Sequence, residues 1–189
     1  MTRRLCAIVC GLWLAGCGMP ETPQTKMFRE NLGKRLDLQA IADLPLLYAD
    51  SVQTFGELIK QSRFLSLIYV DELCDVCQVK LVEWNRYADL LPRSPGWVYV
   101  ILFRGNDFET FRKTCLHGDP LSDKFVVAED PQKRFVIGNA GIPYELLDHT
   151  VLIDSSARML LFGEPFATPE MTRLYRQVVT DSLRSENRY

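Results

Sequence analysis

Seven residues, Phe64-Leu-Ser-Leu-Ile-Tyr-Val70, form an apolar, β-favouring run between polar flanks, which predicts a strand buried in the middle of a sheet. Directly after it the spacing changes. From Cys74 to about Leu91 the apolar positions Cys77, Leu81, Trp84, Tyr87 and Leu91 recur every three or four residues, predicting a helix with one apolar face that Pro92, Pro95 and Gly96 terminate. Trp97 to Phe103 is a second buried strand, Asn106 or Asp107 can cap a short helix to about Cys115, and Lys124 to Glu129 is a third strand. Residues 131–141 have no clear period. His149 to Asp154 and Met159 to Gly163 alternate as two strands joined by Ser155-Ser156-Ala157-Arg158, a hairpin. Thr168-Pro169 offers an N-cap with proline at the first helical position, and Met171, Leu174, Tyr175, Val178 and Val179 supply the apolar stripe of a closing helix. Upstream, Leu32 to Leu38 and Leu46 to Tyr48 predict short edge strands and Val52 to Gln61 a helix. Alternating strands and helices followed by a hairpin and a helix predict an α/β fold, a central mixed sheet covered by helices on both faces.

Composition narrows this picture. A chain of 189 residues, 47% hydrophobic and 24% charged, is long enough for one domain with its own core. No repeat or low-complexity tract points to a solenoid or a long disordered arm. The formal charge of -2 arises from 22 basic and 24 acidic residues without a long run of either sign, so nucleic acid is not an expected partner. The six cysteines carry the chemistry.

Met1 to Arg4 form a short basic start and Leu5 to Ala15 an apolar run, well below the roughly 20 residues that span a bilayer, so the segment predicts a signal peptide. It ends in Leu14-Ala15-Gly16-Cys17, which resembles the lipobox of bacterial lipoproteins. That resemblance implies removal of residues 1–16, with Cys6 and Cys10, and acylation of Cys17, whose lipid chains then hold the protein on a membrane. Residues 17–30 are expected to be the lipidated cysteine and a tether, Gly18 to about Lys26 being proline-containing and mostly polar, and residues 31–189 the folded domain. Residue 18 is Gly rather than Asp, which by resemblance to the sorting rule of Gram-negative lipoproteins favours the periplasmic face of the outer membrane.

Cys74-Asp-Val-Cys77 lies at the start of the predicted amphipathic helix. Two cysteines three apart on a first helical turn can bond to each other, and the helix N-terminus stabilises a thiolate on the first. From the residues alone, a redox pair, a structural disulfide and a pair of metal ligands all remain open. Placed after a buried strand, the motif resembles the active site of thioredoxin-like proteins, with a short N-terminal extension here. More narrowly, Tyr69-Val-Asp71, Leu81-Val-Glu-Trp84, Leu152-Ile-Asp154 and Leu161-Phe-Gly-Glu-Pro165 resemble a group of envelope thioredoxin-like lipoproteins. The resemblance implies a thiol–disulfide oxidoreductase with Cys74 as nucleophile and Cys77 as resolving thiol. It further implies no soluble cofactor, envelope protein thiols or disulfides as partners, and a membrane thiol relay as electron source. Asp71, Glu72 and Asp75 should oppose a thiolate by like charge, which predicts a reducing or intermediate potential.

Three positions depart from thioredoxin: Leu73 replaces an aromatic residue, Val82 replaces the helix-kinking proline, and Asp148 or His149 stands where a proline lies against the disulfide, Pro143 being several residues too early. Asp148 and His149 could therefore supply a proton relay to the cysteines, or serve only to cap a strand. Asp148-His149-Thr150 also resembles the histidine segment of copper-delivering thioredoxin-like proteins, so the alternative is a copper-binding module using Cys74, Cys77 and His149. A third reading is an interaction domain without catalysis. Cys115 is expected to be a small buried hydrophobe, and the Trp84 and Tyr87 face to pack on the sheet with Glu83 and Arg86 in solvent.

Overall fold

Every residue of β2 (Phe64–Asp71) is buried, as a strand must be when neighbours pair on both edges and helices cover both faces. In the computed structural model, which describes residues 22–49 and 53–186, this strand is the middle of a six-stranded mixed sheet. The other strands are β1 (Leu46–Leu47), β3 (Trp97–Arg104), β4 (Phe125–Glu129), β5 (Val151–Asp154) and β6 (Met159–Phe162), in spatial order β1-β4-β3-β2-β5-β6. β2 runs parallel to β3, pairing Phe64 with Trp97 through to Asp71 with Arg104, and β3 runs parallel to β4. β1, β5 and β6 are antiparallel to their neighbours.

Seven helices accompany these strands among the described residues: α1 (Pro23–Asn31), α2 (Phe55–Gln61), α3 (Asp75–Arg86), α4 (Phe108–Cys115), α5 (Arg134–Gly138), α6 (Tyr144–Leu147) and α7 (Pro169–Glu186). The chain divides into two units, Met1–Glu30 and Asn31–Tyr189. In the first, the expected tether is helical from Pro23, because Thr22 Oγ1 accepts the Thr25 N–H at 3.1 Å and proline is tolerated at a first helical position. The expected signal peptide and Cys17 lie outside the described residues.

In the second unit, the apolar face read along α3 is the one that packs. Cys77, Leu81 and Trp84 are buried there, and the Trp84 ring meets Tyr99, Phe125 and Phe166 at centroid distances of 6.1, 6.1 and 4.8 Å. This helix stops at Arg86, short of Leu91, and the remaining residues form a 3-10 turn, Ala88–Leu90. The helix before β2 also starts later than its pattern suggested, at Phe55. There Thr54 and Glu57 close a reciprocal capping box, Thr54 Oγ1 accepting from the Glu57 N–H and Glu57 Oε2 from the Thr54 N–H.

Leu32 to Leu38 is not a strand. Gly33 turns the backbone at φ +83, and the segment touches the β5–β6 hairpin only locally, through a single bridge between Arg35 and Arg158 and hydrogen bonds such as Leu36 N–H to Ala157 O. Its alternating apolar residues Leu36 and Leu38 are nonetheless buried, so the period reported burial without ladder formation. The expected hairpin is present, β5 and β6 turning at Asp154, whose carboxylate accepts the Ser156 and Arg158 N–H groups at 2.9 and 3.0 Å.

Candidate active site

β2 ends and α3 begins within four residues, and that junction shapes the site. Asp71, buried at the end of the strand, folds the turn twice over: its carboxylate accepts the Leu73 N–H at 3.0 Å and its carbonyl accepts the Cys74 N–H at 3.1 Å. The carboxylate is held in turn by the Arg104 guanidinium, which the parallel register places directly opposite on β3. Of the three acidic residues expected to oppose a thiolate, Asp71 therefore has its charge met by Arg104, and Glu72 and Asp75 remain as the exposed ones.

Cys74 occupies the N-cap of α3 in an extended conformation and is partly exposed, while Cys77 sits in the first turn with 1% of its surface accessible. Both are free thiols, and the Cys77 N–H donates to the Cys74 carbonyl at 2.9 Å. Burial pushes the Cys77 thiol up to about 12; a backbone hydrogen bond at Asp71 and the charge of Lys80 pull the other way, and a hydrogen bond with Cys74 adds to the upward push. Cys77 thus holds its proton, and Cys74 is the sulfur that solvent and a partner can reach.

Lys80, one turn further along α3, was not among the residues singled out by sequence. Its side chain, 12% exposed, reaches across to the other side of the site, the ammonium donating to the Tyr69 carbonyl at 3.1 Å, the Asp148 carbonyl at 2.5 Å and Asp148 Oδ1 at 3.3 Å. Asp148 is consequently the counter-ion of a lysine. The turn begins at Asp148, the C-cap of α6, and leads into β5. His149 lines a cleft of about 480 Å³ together with Val76, Val79, Lys80, Trp84 and Asp148, and neither cysteine is part of its wall. Among the described residues no three His, Cys, Asp or Glu side chains are grouped to hold a metal ion, so Cys74, Cys77 and His149 are not brought together as a copper set.

Tyr144 is a second residue that sequence reasoning passed over, lying between the stretch without a period and the expected His149 strand. Its phenol is pushed above its ordinary value, first by burial and then by the charges of Asp148, Asp71, Cys77 and Cys74, which places it among the site's acidic groups. Leu73, Val76 and Val79 leave an unusual amount of apolar surface exposed beside the cysteines, Leu73 at 82%. Cys115, at the end of α4, is buried at 9% with its thiol pushed up by burial, a small core residue.

No family model and no curated protein matches the sequence. Solved structures do match. A candidate electron transfer protein from Aquifex aeolicus shares 12% identity over 78% of this chain and 97% of its own, with a TM-score of 0.51. A PrxQ mutant from Xylella fastidiosa shares 12% over 78% of this chain and 96% of its own, also at 0.51. The fold is thioredoxin-like. A thioredoxin-like protein from Porphyromonas gingivalis matches at 12% identity over 74% of this chain and 88% of its own, with a TM-score of 0.44. At such identities the likeness is one of fold, and the frame puts Cys74 and Cys77 where β2 runs into α3.

Proposed function

We propose that this protein is an envelope thiol–disulfide oxidoreductase, anchored through an acylated Cys17, that exchanges disulfides of envelope proteins through Cys74 and Cys77. The carrying observation is the asymmetry of the pair: a partly exposed Cys74 at the N-cap of α3, with a buried, proton-retaining Cys77 behind it on the same turn. In the reducing direction the Cys74 thiolate attacks one sulfur of a substrate disulfide, forming the mixed disulfide and expelling the first substrate thiolate, which takes a proton from solvent. Cys77 then loses its proton and attacks Cys74 Sγ. The intramolecular disulfide forms, the second substrate thiol leaves with a proton, and two electrons have passed from protein to substrate. A membrane thiol relay is the proposed source that returns them.

The test is a Cys77→Ala variant expressed in the envelope, in which the second step has no nucleophile. It is expected to accumulate mixed disulfides with partner proteins that vanish on reduction and are absent from a Cys74→Ala variant. Absence of any mixed disulfide, together with no two-electron reduction of a model protein disulfide by the intact chain, would overturn the reading. Replacing Cys17 by Ala is expected to release the protein from the membrane fraction, and retention there would overturn the anchoring part alone.

A further inference from the structure

The second half of such an exchange asks a buried thiol to ionise. Burial disfavours the Cys77 thiolate, and its helix begins with an acidic residue, Asp75. The charged and titratable groups that face it are Cys74 and Lys80 on its own helix, Asp71 at the end of β2, and Tyr144 on α6, with Asp148 beyond Lys80 and Arg104 beyond Asp71. Arg104 is committed to the Asp71 carboxylate. Lys80 is the cation whose charge bears on Cys77. Three residues apart on α3, the two side chains share a face, and the lysine side chain is largely buried, its ammonium held by Tyr69 and Asp148.

Resting on the oxidoreductase reading above, we propose that Lys80 is the positioning residue of the resolving step: it ties the Asp148-His149 turn to the active-site helix and divides its charge between the Asp148 carboxylate and the nascent Cys77 thiolate. An ammonium has three donor protons, and Tyr69 O, Asp148 O and Asp148 Oδ1 engage it; what it offers an ionising Cys77, three residues back on the helix, is a fixed positive charge. Asp148 then acts as a brake. Its carboxylate competes for the lysine, so the two members of the ion pair influence the resolving thiol with opposite sign.

That opposition separates the proposal from a purely structural ion pair. The experiment mixes the reduced mature protein, its Cys17 acylated and its Cys115 replaced by Ala so that Cys74 and Cys77 are the thiols counted, with 5,5′-dithiobis(2-nitrobenzoate): attack by Cys74 releases one equivalent of chromophoric thiolate, and attack by Cys77 on the resulting mixed disulfide releases the second. Lys80→Met is expected to slow the second release roughly fivefold at neutral pH and to move its pH midpoint upward, leaving the first release within roughly twofold. Asp148→Asn is expected to accelerate the second release, and Lys80→Arg to restore it. If Lys80→Met leaves the second release unchanged, or if Lys80→Met and Asp148→Asn both slow it, the proposal is wrong. Should Lys80→Met fail to fold, the Asp148→Asn and Lys80→Arg variants still decide the sign. A wild-type protein that releases only one equivalent would overturn the oxidoreductase reading and the proposal together, whereas two equivalents with unaffected variants overturns the proposal alone.

Discussion

Replacing Arg104 by Met isolates the contact that holds the cysteine turn. Arg104 lies at the end of β3 opposite Asp71, a residue 6% exposed, and its guanidinium bonds the Asp71 carboxylate. Without it, that carboxylate keeps the Leu73 N–H as its recorded donor. Removing one partner of a buried pair costs about 3–5 kcal/mol because the remaining charge is stranded. Here the arginine side chain is 24% exposed, so water reaches one side of the pair and about 2–3 kcal/mol is the appropriate figure. For a domain of this length, roughly 2–4 °C of melting temperature accompanies each kcal/mol, giving a fall of about 4–12 °C. Thermal and urea unfolding of Arg104→Met, Asp71→Asn and the double variant measure it. The double variant is expected to regain a large part of the loss, since an amide needs no counter-ion. A loss below about 1 kcal/mol, the range of exposed pairs, or strictly additive single effects, would refute the view that this pair is desolvated and structural. The turn offers a second readout: with Asp71 unpaired beside it, Cys74 is expected to react more slowly with a neutral alkylating agent.

Two further outcomes follow from the geometry. With limiting iodoacetamide on the reduced protein, mass spectrometry is expected to find Cys74 modified well before Cys77 or Cys115, which are 1% and 9% exposed; comparable rates at any two of these would contradict the asymmetry of the pair. Glu109 is held down at about 2, from an ordinary 4.5, by hydrogen bonds from Arg112 and then Tyr48, so its folded-state value is depressed. Its contribution to stability is thus present above pH 4.5 and is lost as pH falls through 4.5 towards 2. Urea unfolding across that window is expected to show a shallower acid loss in Glu109→Gln than in the wild type, and parallel curves would dismiss the contribution.

The parts of this protein that sequence made legible are those governed by local periodicity. β2 and β3 read as uninterrupted apolar runs because both faces of the central strands are covered, and α3 read as a helix because Cys77, Leu81 and Trp84 return to one face. The cysteine pair followed from that junction. β1, two residues long, and the short helices α5 and α6 offer too few turns for a period to develop, and Tyr144 was hidden in that stretch. Contacts between distant segments were equally out of reach: Asp71 finds Arg104 through a strand register 33 residues away, and Lys80 finds Asp148 across 68.

Lys80 is the instructive case, since a signal for it existed. At about 100° per residue, position 80 stands roughly 60° from Cys77 and 40° from Trp84 around α3, on the border of the apolar face rather than opposite it. A lysine there can lay its methylenes along the packed face, but its charge still needs acceptors near the helix start, where the aligned N–H groups supply none. The acceptors have to come from another segment, and the carbonyls of Tyr69 and Asp148 are those the fold brings within reach. Asp148 was read from sequence as the acidic partner of His149 because they are adjacent in the chain; its carboxylate also answers a charge on the helix that carries Cys77, and it is on that ion pair that the proposed control of Cys77 rests.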